Sequence, residues 1–234
     1  MTGDPGALLE DILARIRNAE AARPDALRDA GPVRVLAVSK TRGAMEIRAL
    51  ARGGQRAFGE NYVQEALAKQ REVHDDPVEW HLIGHLQSNK AREAAAAFDW
   101  VQTVDRPKLA AALARHRPAE RAPLNVLIQV NIDDEAGKSG CRPSDVAGLA
   151  GAIAAEPRLA LRGLMAIPAP DPDLQRRREA FRAMRSAFED LRGSHPGVDT
   201  LSMGMSEDFE LAIAEGANLV RIGTALFGER AVRG

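Results

Sequence analysis

A single cysteine, Cys141, stands among 234 residues, so no internal disulfide framework and no cysteine-rich zinc site can form. A reducing compartment suits that count, and the expected location is the cytoplasm. Aromatic residues are scarce at 4%, but hydrophobic residues reach 45% and charged residues 28%, enough for a globular core and too apolar for a disordered chain. An excess of either charge sign is also missing. Lys and Arg number 32 against 33 Asp and Glu, a net charge of −1, so the basic footprint of a dedicated nucleic-acid binder is absent. Any anion must be held by a local group of donors. No apolar run approaches the ~18 residues that span a bilayer, and the opening segment carries acids with no secretory core. The expectation is a soluble protein with neither membrane nor nucleic acid as partner.

Several familiar motifs are incomplete. Gly137-Lys138-Ser139 ends like a phosphate-binding P-loop, but Ile132 stands where that loop needs its first glycine. His81 and His85 have the spacing of a zinc protease pair, yet Leu82 replaces the required glutamate and the segment reads as strand. No Gly-x-Gly-x-x-Gly follows a strand and no Gly-x-Ser-x-Gly elbow occurs, so the dinucleotide and serine-hydrolase fingerprints are both lacking. Cys141, after Gly140 in a polar stretch, reads as a surface thiol.

What the chain does contain is one repeated rhythm. A leading amphipathic helix is expected over Gly6 to Ala22, with Leu8, Leu9, Ile12, Leu13 and Ile16 at helical spacing. Short apolar runs follow at Val33–Val38, Arg56–Gly59, Glu79–Gly84, Trp100–Val104, Asn125–Asn131, Leu161–Ile167, Thr200–Met203 and Val220–Gly223, separated by stretches rich in Ala, Leu, Glu, Arg and Lys. Near-continuous apolar strands alternating with helices imply a parallel sheet covered on both faces. Eight units at a spacing of about 25 residues predict one closed (β/α)8 TIM-type barrel with an extra N-terminal helix, as a single domain over residues 1–234. An open doubly wound sheet is the alternative, because periodicity alone does not show closure. Too little chain follows Gly228 for a full eighth helix, so the leading helix is expected to cover that part of the barrel.

Chemistry in such barrels sits at the C-terminal ends of the strands. Lys40 falls there, just after the first apolar run; an amine partly desolvated at a barrel mouth is a nucleophile that can condense with an aldehyde, though a solvated loop lysine would look the same in sequence. Ser202-Met203-Gly204-Met205-Ser206 ends the seventh strand and Arg221-Ile222-Gly223-Thr224 the eighth, the usual place for a phosphate in this fold. Asn61 and His85 follow the second and third strands and could line the same mouth, although Asn at a helix start is often only a cap.

Taken together, Val38-Ser39-Lys40-Thr41, Phe58-Gly59-Glu60-Asn61, His81-Leu82-Ile83-Gly84-His85-Leu86-Gln87, Gly163-Leu164-Met165, Leu201-Ser202-Met203-Gly204-Met205-Ser206 and Arg221-Ile222-Gly223-Thr224 resemble the pyridoxal phosphate homeostasis protein family, from about Val33 to Gly228. The resemblance implies a barrel like the N-terminal domain of alanine racemase, with pyridoxal 5′-phosphate (PLP) bound as an imine on Lys40. It also implies phosphate contacts from Ser206, Gly223 and Thr224, and Arg221 beside the pyridine nitrogen. The expected cofactor-binding set is Lys40, Asn61, His85, Met203, Ser206, Arg221, Gly223 and Thr224, with no catalytic residue and no metal ligand. The family's role is to hold and deliver PLP, with PLP-dependent apo-enzymes as candidate recipients, and to keep vitamin B6 and amino-acid pools balanced. A monomer is expected. The alternative is a small PLP-dependent amino-acid racemase, but racemisation needs bases on both faces of the substrate, and alanine racemase draws its second, a tyrosine, from an additional domain. The only tyrosine here is Tyr62. An arginine at the pyridine nitrogen also disfavours ring protonation and weakens the electron sink.

Overall fold

The computed structural model describes residues 5–133, 135, 137–169 and 172–228. Eight strands form the centre: β1 (Arg34–Val38), β2 (Ala57–Glu60), β3 (Glu79–Leu82), β4 (Trp100–Val104), β5 (Leu124–Gln129), β6 (Leu159–Met165), β7 (Thr200–Met205) and β8 (Leu219–Ile222). Each pairs in parallel with the next, and β8 returns to β1 through Arg34↔Leu219 to Ala37↔Ile222, so the sheet is a closed barrel and not the open alternative. Outside lie α2 (Ala44–Arg52), α3 (Val63–Glu72), α4 (Ala91–Ala97), α5 (Pro107–His116), α6 (Val146–Ala154), α7 (Leu174–Ser194) and α8 (Phe209–Ala214). After β8 comes only the short α9 (Thr224–Phe227). The leading helix α1 (Pro5–Ala21) fills the gap, as expected, laying Leu9, Ile12 and Ile16 against α8, α9 and α2. Residues 229–234, on which that expectation also drew, lie outside the described residues.

The strand edges differ from the apolar runs where local chemistry intervenes. β3 stops at Leu82, where Gly84 passes close to the loop after β2: a Cβ on it would stand 2.1 Å from the Asn61 carbonyl oxygen. β7 runs on to Met205 through a bulge, with the four residues Ser202 to Met205 opposite the three from Leu219 to Arg221. Gly204 lies in the bulge at φ 91°, and a Cβ there would meet the Ala212 Cβ at 2.6 Å, so the bulge packs directly on α8. Cys141 is a correction to the sequence expectation: it is buried, bridged to Val130 beside β5, and burial pushes its thiol up to about 11. It is a packed, unreactive thiol.

The barrel interior is plugged. Leu36, Ala57, Leu219 and Ile83 form one apolar layer, and Trp100, Leu127 and Met165 another. His81 stacks on Trp100 with ring centres 5.1 Å apart, while Arg34 and Arg162 approach the Trp100 ring at 5.4 and 5.3 Å.

Candidate functional site

A cavity of about 450 Å³ opens at the C-terminal end of the strands. Val38 and Lys40 reach it from β1 and the turn behind it, and Asn61 and Ile83 from the ends of β2 and β3. Ile167, Pro168 and Ala169 follow β6, Arg177 comes from the first turn of α7, and Met205, Ser206, Glu207 and Asp208 come from the end of β7 and its loop. Arg221, Gly223 and Thr224 come from β8 and its end. Six of the residues expected from sequence, Lys40, Asn61, Ser206, Arg221, Gly223 and Thr224, therefore share one cavity.

Two do not line it. Met203 is fully buried in the main core, and the bulge at Gly204 brings Met205 to the cavity instead. His85 is exposed beyond the rim, with its Nδ1 3.3 Å from the Ser139 hydroxyl. Tyr62 is 65% exposed and also lies outside the lining. Sequence patterns missed Arg177, since the run Arg176-Arg177-Arg178 looks like an ordinary solvated helix face; its place in the first turn after the β6 loop was the available signal.

Lys40 is half-buried, and among the described residues no group bonds its amine. It faces the hydroxyls of Ser206 and Thr224 and the Gly223 N–H, whose acceptor, the Ser206 Oγ, is a distant 3.4 Å away. Donors so weakly engaged are free to turn to an anion. Arg221 is only 4% exposed. It donates from Nη1 to the Ser202 carbonyl at 2.9 Å and Oγ at 2.8 Å, and from Nη2 to the Ala166 carbonyl at 2.7 Å. Burial lowers its pKa to about 10, opposed by Asp208, so the guanidinium remains a cation with its orientation locked.

That lock continues through the barrel. Ser202 Oγ donates to Gln102 Oε1 at 2.8 Å, and the Gln102 amide nitrogen lies 2.9 Å from His81 Nδ1. His81 Nε2 lies 2.7 Å from Glu79 Oε1, which Arg34 also pairs at 3.0 Å. Burial lowers the His81 pKa, and Glu79, despite partial burial, is brought down to about 2 by His81 and Arg34. A neutral His81 beside an ionised Glu79 carries its proton on Nε2, so every donor in the chain meets an acceptor.

A larger cavity, about 550 Å³, opens at the N-terminal end of the barrel among Arg34, Arg162, Asp199 and Asn218. Two of its three arginines are already engaged, Arg34 by Glu79 and Arg162 by Asp199 and Asn125, while the side chain of the third, Arg192, has no ion pair or hydrogen bond among the described residues. Volume alone would favour it; the unpaired amine and weakly engaged donors favour the other end. Among the described residues no cluster of His, Cys, Asp and Glu could hold a metal ion, and no helix is long and apolar enough to cross a membrane.

The sequence profile described as alanine racemase, N-terminal domain, matches residues 14–231. A pyridoxal phosphate homeostasis protein of Pseudomonas aeruginosa is 53% identical over 219 residues, which cover 94% of this chain and 93% of that one. Among solved structures, PipY of Synechococcus elongatus PCC7942 with PLP bound superposes with a TM-score of 0.77 at 36% identity, over 92% of this chain and 99% of PipY. An alanine racemase of Corynebacterium glutamicum, 20% identical with a TM-score of 0.66, shares the fold over 94% of this chain but only 62% of its own.

Proposed function

This chain belongs to the pyridoxal phosphate homeostasis protein family, built on the alanine racemase N-terminal domain, and on that premise we propose that it holds PLP covalently on Lys40 and serves PLP homeostasis and amino-acid balance in the cytoplasm rather than running a reaction of its own. The observation that carries the proposal is the unpaired Lys40 amine facing the Gly223 N–H and the Ser206 and Thr224 hydroxyls in one cavity. When bound, PLP supplies an aldehyde that condenses with an amine, with loss of one water, and a pyridine ring that withdraws electrons.

The residues present suit that group. Lys40 offers the amine, and Ser206, Gly223 and Thr224 offer donors to a phosphate. Asn61 would offer an amide to a ring substituent, and Arg221 would offer a cation to the pyridine nitrogen. A cation there opposes protonation of that nitrogen. His85 and Met203 have roles only at the rim and behind the wall, respectively. The names of the relatives describe homeostasis, not turnover, and Tyr62 stands outside the cavity, so the chain's tyrosine does not supply a second base for racemisation. PLP-dependent apo-enzymes are the proposed recipients and the monomer the proposed working state.

The decisive experiment is an absorbance spectrum of purified protein before and after borohydride, followed by mass mapping of the modified peptide. Label on Lys40, with both absorbance and label lost in Lys40→Ala, is the expected result. Label on Lys90 or Lys138 instead would overturn the assignment.

A further inference from the structure

The turn that presents Lys40 contains a residue poorly suited to it. The Ser39 carbonyl accepts the Arg42 N–H at 3.0 Å, closing a four-residue turn with Lys40 and Thr41 in the middle. Thr41 has φ 65°, the only non-glycine residue with positive φ among those described. A β-branched side chain crowds the backbone there, and turns of this kind usually place glycine or asparagine at that position. Something outside the turn must hold it.

α3 supplies the hold. Lys69 Nζ donates to the Ser39 carbonyl, to Glu60 Oε1 and to Glu65 Oε1, each at 2.7 Å. All three of its protons are committed, with the residue buried. Glu65, one helical turn before Lys69, accepts the Thr41 N–H at 2.5 Å through the same oxygen that meets Lys69. The backbone groups on either side of Lys40 are thus tied to a single ion pair. Glu60 lies behind this pair, fully buried, and also receives the Ser39 hydroxyl at 2.5 Å.

We propose that Lys69 and Glu65 are positioning residues for Lys40, clamping the Ser39 carbonyl and the Thr41 N–H so that the lysine leaves a strained turn in one fixed direction; this rests on Lys40 being the point of PLP attachment. A simpler role would be neutralisation of buried Glu60, but that needs only Lys69, and Ser39 already adds a bond to the same oxygen. Glu65 is surplus to that role. Its removal leaves buried Lys69 still paired with Glu60, so no buried charge is stranded.

The test compares full-length wild type, Glu65→Ala and Glu65→Gln, each freed of cofactor. Covalent capture of added PLP is followed by absorbance and by borohydride-fixed mass on Lys40, and exchange of the Thr41 amide is followed without cofactor. Glu65→Ala should slow capture about tenfold or more, the scale on which small misplacements of reacting groups act, and should lose protection at Thr41. Glu65→Gln, whose Oε1 still accepts the N–H, should restore both. Capture at the wild-type rate in Glu65→Ala overturns the clamp. So does equal loss in both variants with a matching fall in thermal midpoint, which would show general packing. Wild-type label on another lysine overturns the attachment itself and is seen before any variant is compared, while Thr41 exchange still reports on the clamp.

Discussion

Removing the Thr224 hydroxyl should weaken PLP binding by about 1–3 kcal/mol, the range for one hydrogen bond to a charged group. Gly223 allows a cleaner probe. Its backbone, at φ −111° and ψ −88°, lies just past the usual helical region, but an added Cβ would rest at an ordinary 3.6 Å from Val38, so Gly223→Val should fold with a lowered thermal midpoint while filling the space beside Lys40 and Thr224. Its affinity should fall at least about tenfold, the equivalent of about 1.4 kcal/mol. Equilibrium titrations followed by absorbance test both variants, and unchanged affinity in the pair would move the phosphate away from this end of the barrel. Single residues were legible in sequence to different degrees for physical reasons. Lys40 could be found because a charge after an apolar run marks a strand end, and Gly223 because small residues cluster where backbone must approach a ligand. Met203 lies in the core with Met205 at the cavity instead because period-2 alternation carries no sign of a bulge, and the polar neighbours of Cys141 give no sign of its bridge to Val130.

Four strands contribute the five side chains of the hydrogen-bonded chain, Glu79 and His81 from β3, Gln102 from β4, Ser202 from β7 and Arg221 from β8, and that chain gives the barrel a pH signature. His81 is neutral in the folded state because burial lowers its pKa below the usual 6.5, so the unfolded chain binds the proton more readily. Stability should therefore be full above about pH 6.5 and decline as pH falls below it. Glu79, held down at about 2, adds a second loss as pH falls from about 4.5 towards that value. Urea midpoints measured against pH test this, with His81→Gln as the comparison; a slope between about pH 5 and 6.5 that survives the substitution would place the linkage elsewhere. The β7 bulge gives a second prediction. Gly204→Ala forces a Cβ within 2.6 Å of Ala212 at a φ of 91° and should cost about 1–3 kcal/mol in the same measurement. All eight strands were legible as apolar runs, since strands buried on both faces need no alternation. The 3-10 turns at Asp25–Ala30, Ser88–Lys90 and Pro143–Asp145 were not, because capping and turn geometry depend on contacts distant in sequence.

At the scale of the whole molecule, what matters is what this barrel can do with a reactive aldehyde at its mouth. The chain spans 62% of the Corynebacterium glutamicum alanine racemase, so the rest of that protein has no counterpart in the alignment. An amino acid that enters the cavity can compete with Lys40 for the aldehyde, and exchange of amines needs nothing more. Turnover needs two further things. A base must take the proton from Cα while another delivers one to the opposite face, and the carbanion must be drained into the ring. Lys40 can serve one face; Tyr62, 65% exposed and outside the lining, does not serve the other. Arg221, a buried cation fixed by Ser202 and Ala166, would oppose a second positive charge on the ring nitrogen and so weaken the drain. The expected outcome is exchange without efficient racemisation. Protein incubated with L- and D-alanine and serine in deuterated water, then assayed for Cα deuterium and chiral composition, should show at most slow labelling. A kcat in the ordinary enzyme range, about 1–10³ s⁻¹, abolished in Lys40→Ala, would mean that a second base acts from somewhere other than Tyr62 and that the carrier assignment gives way to the racemase.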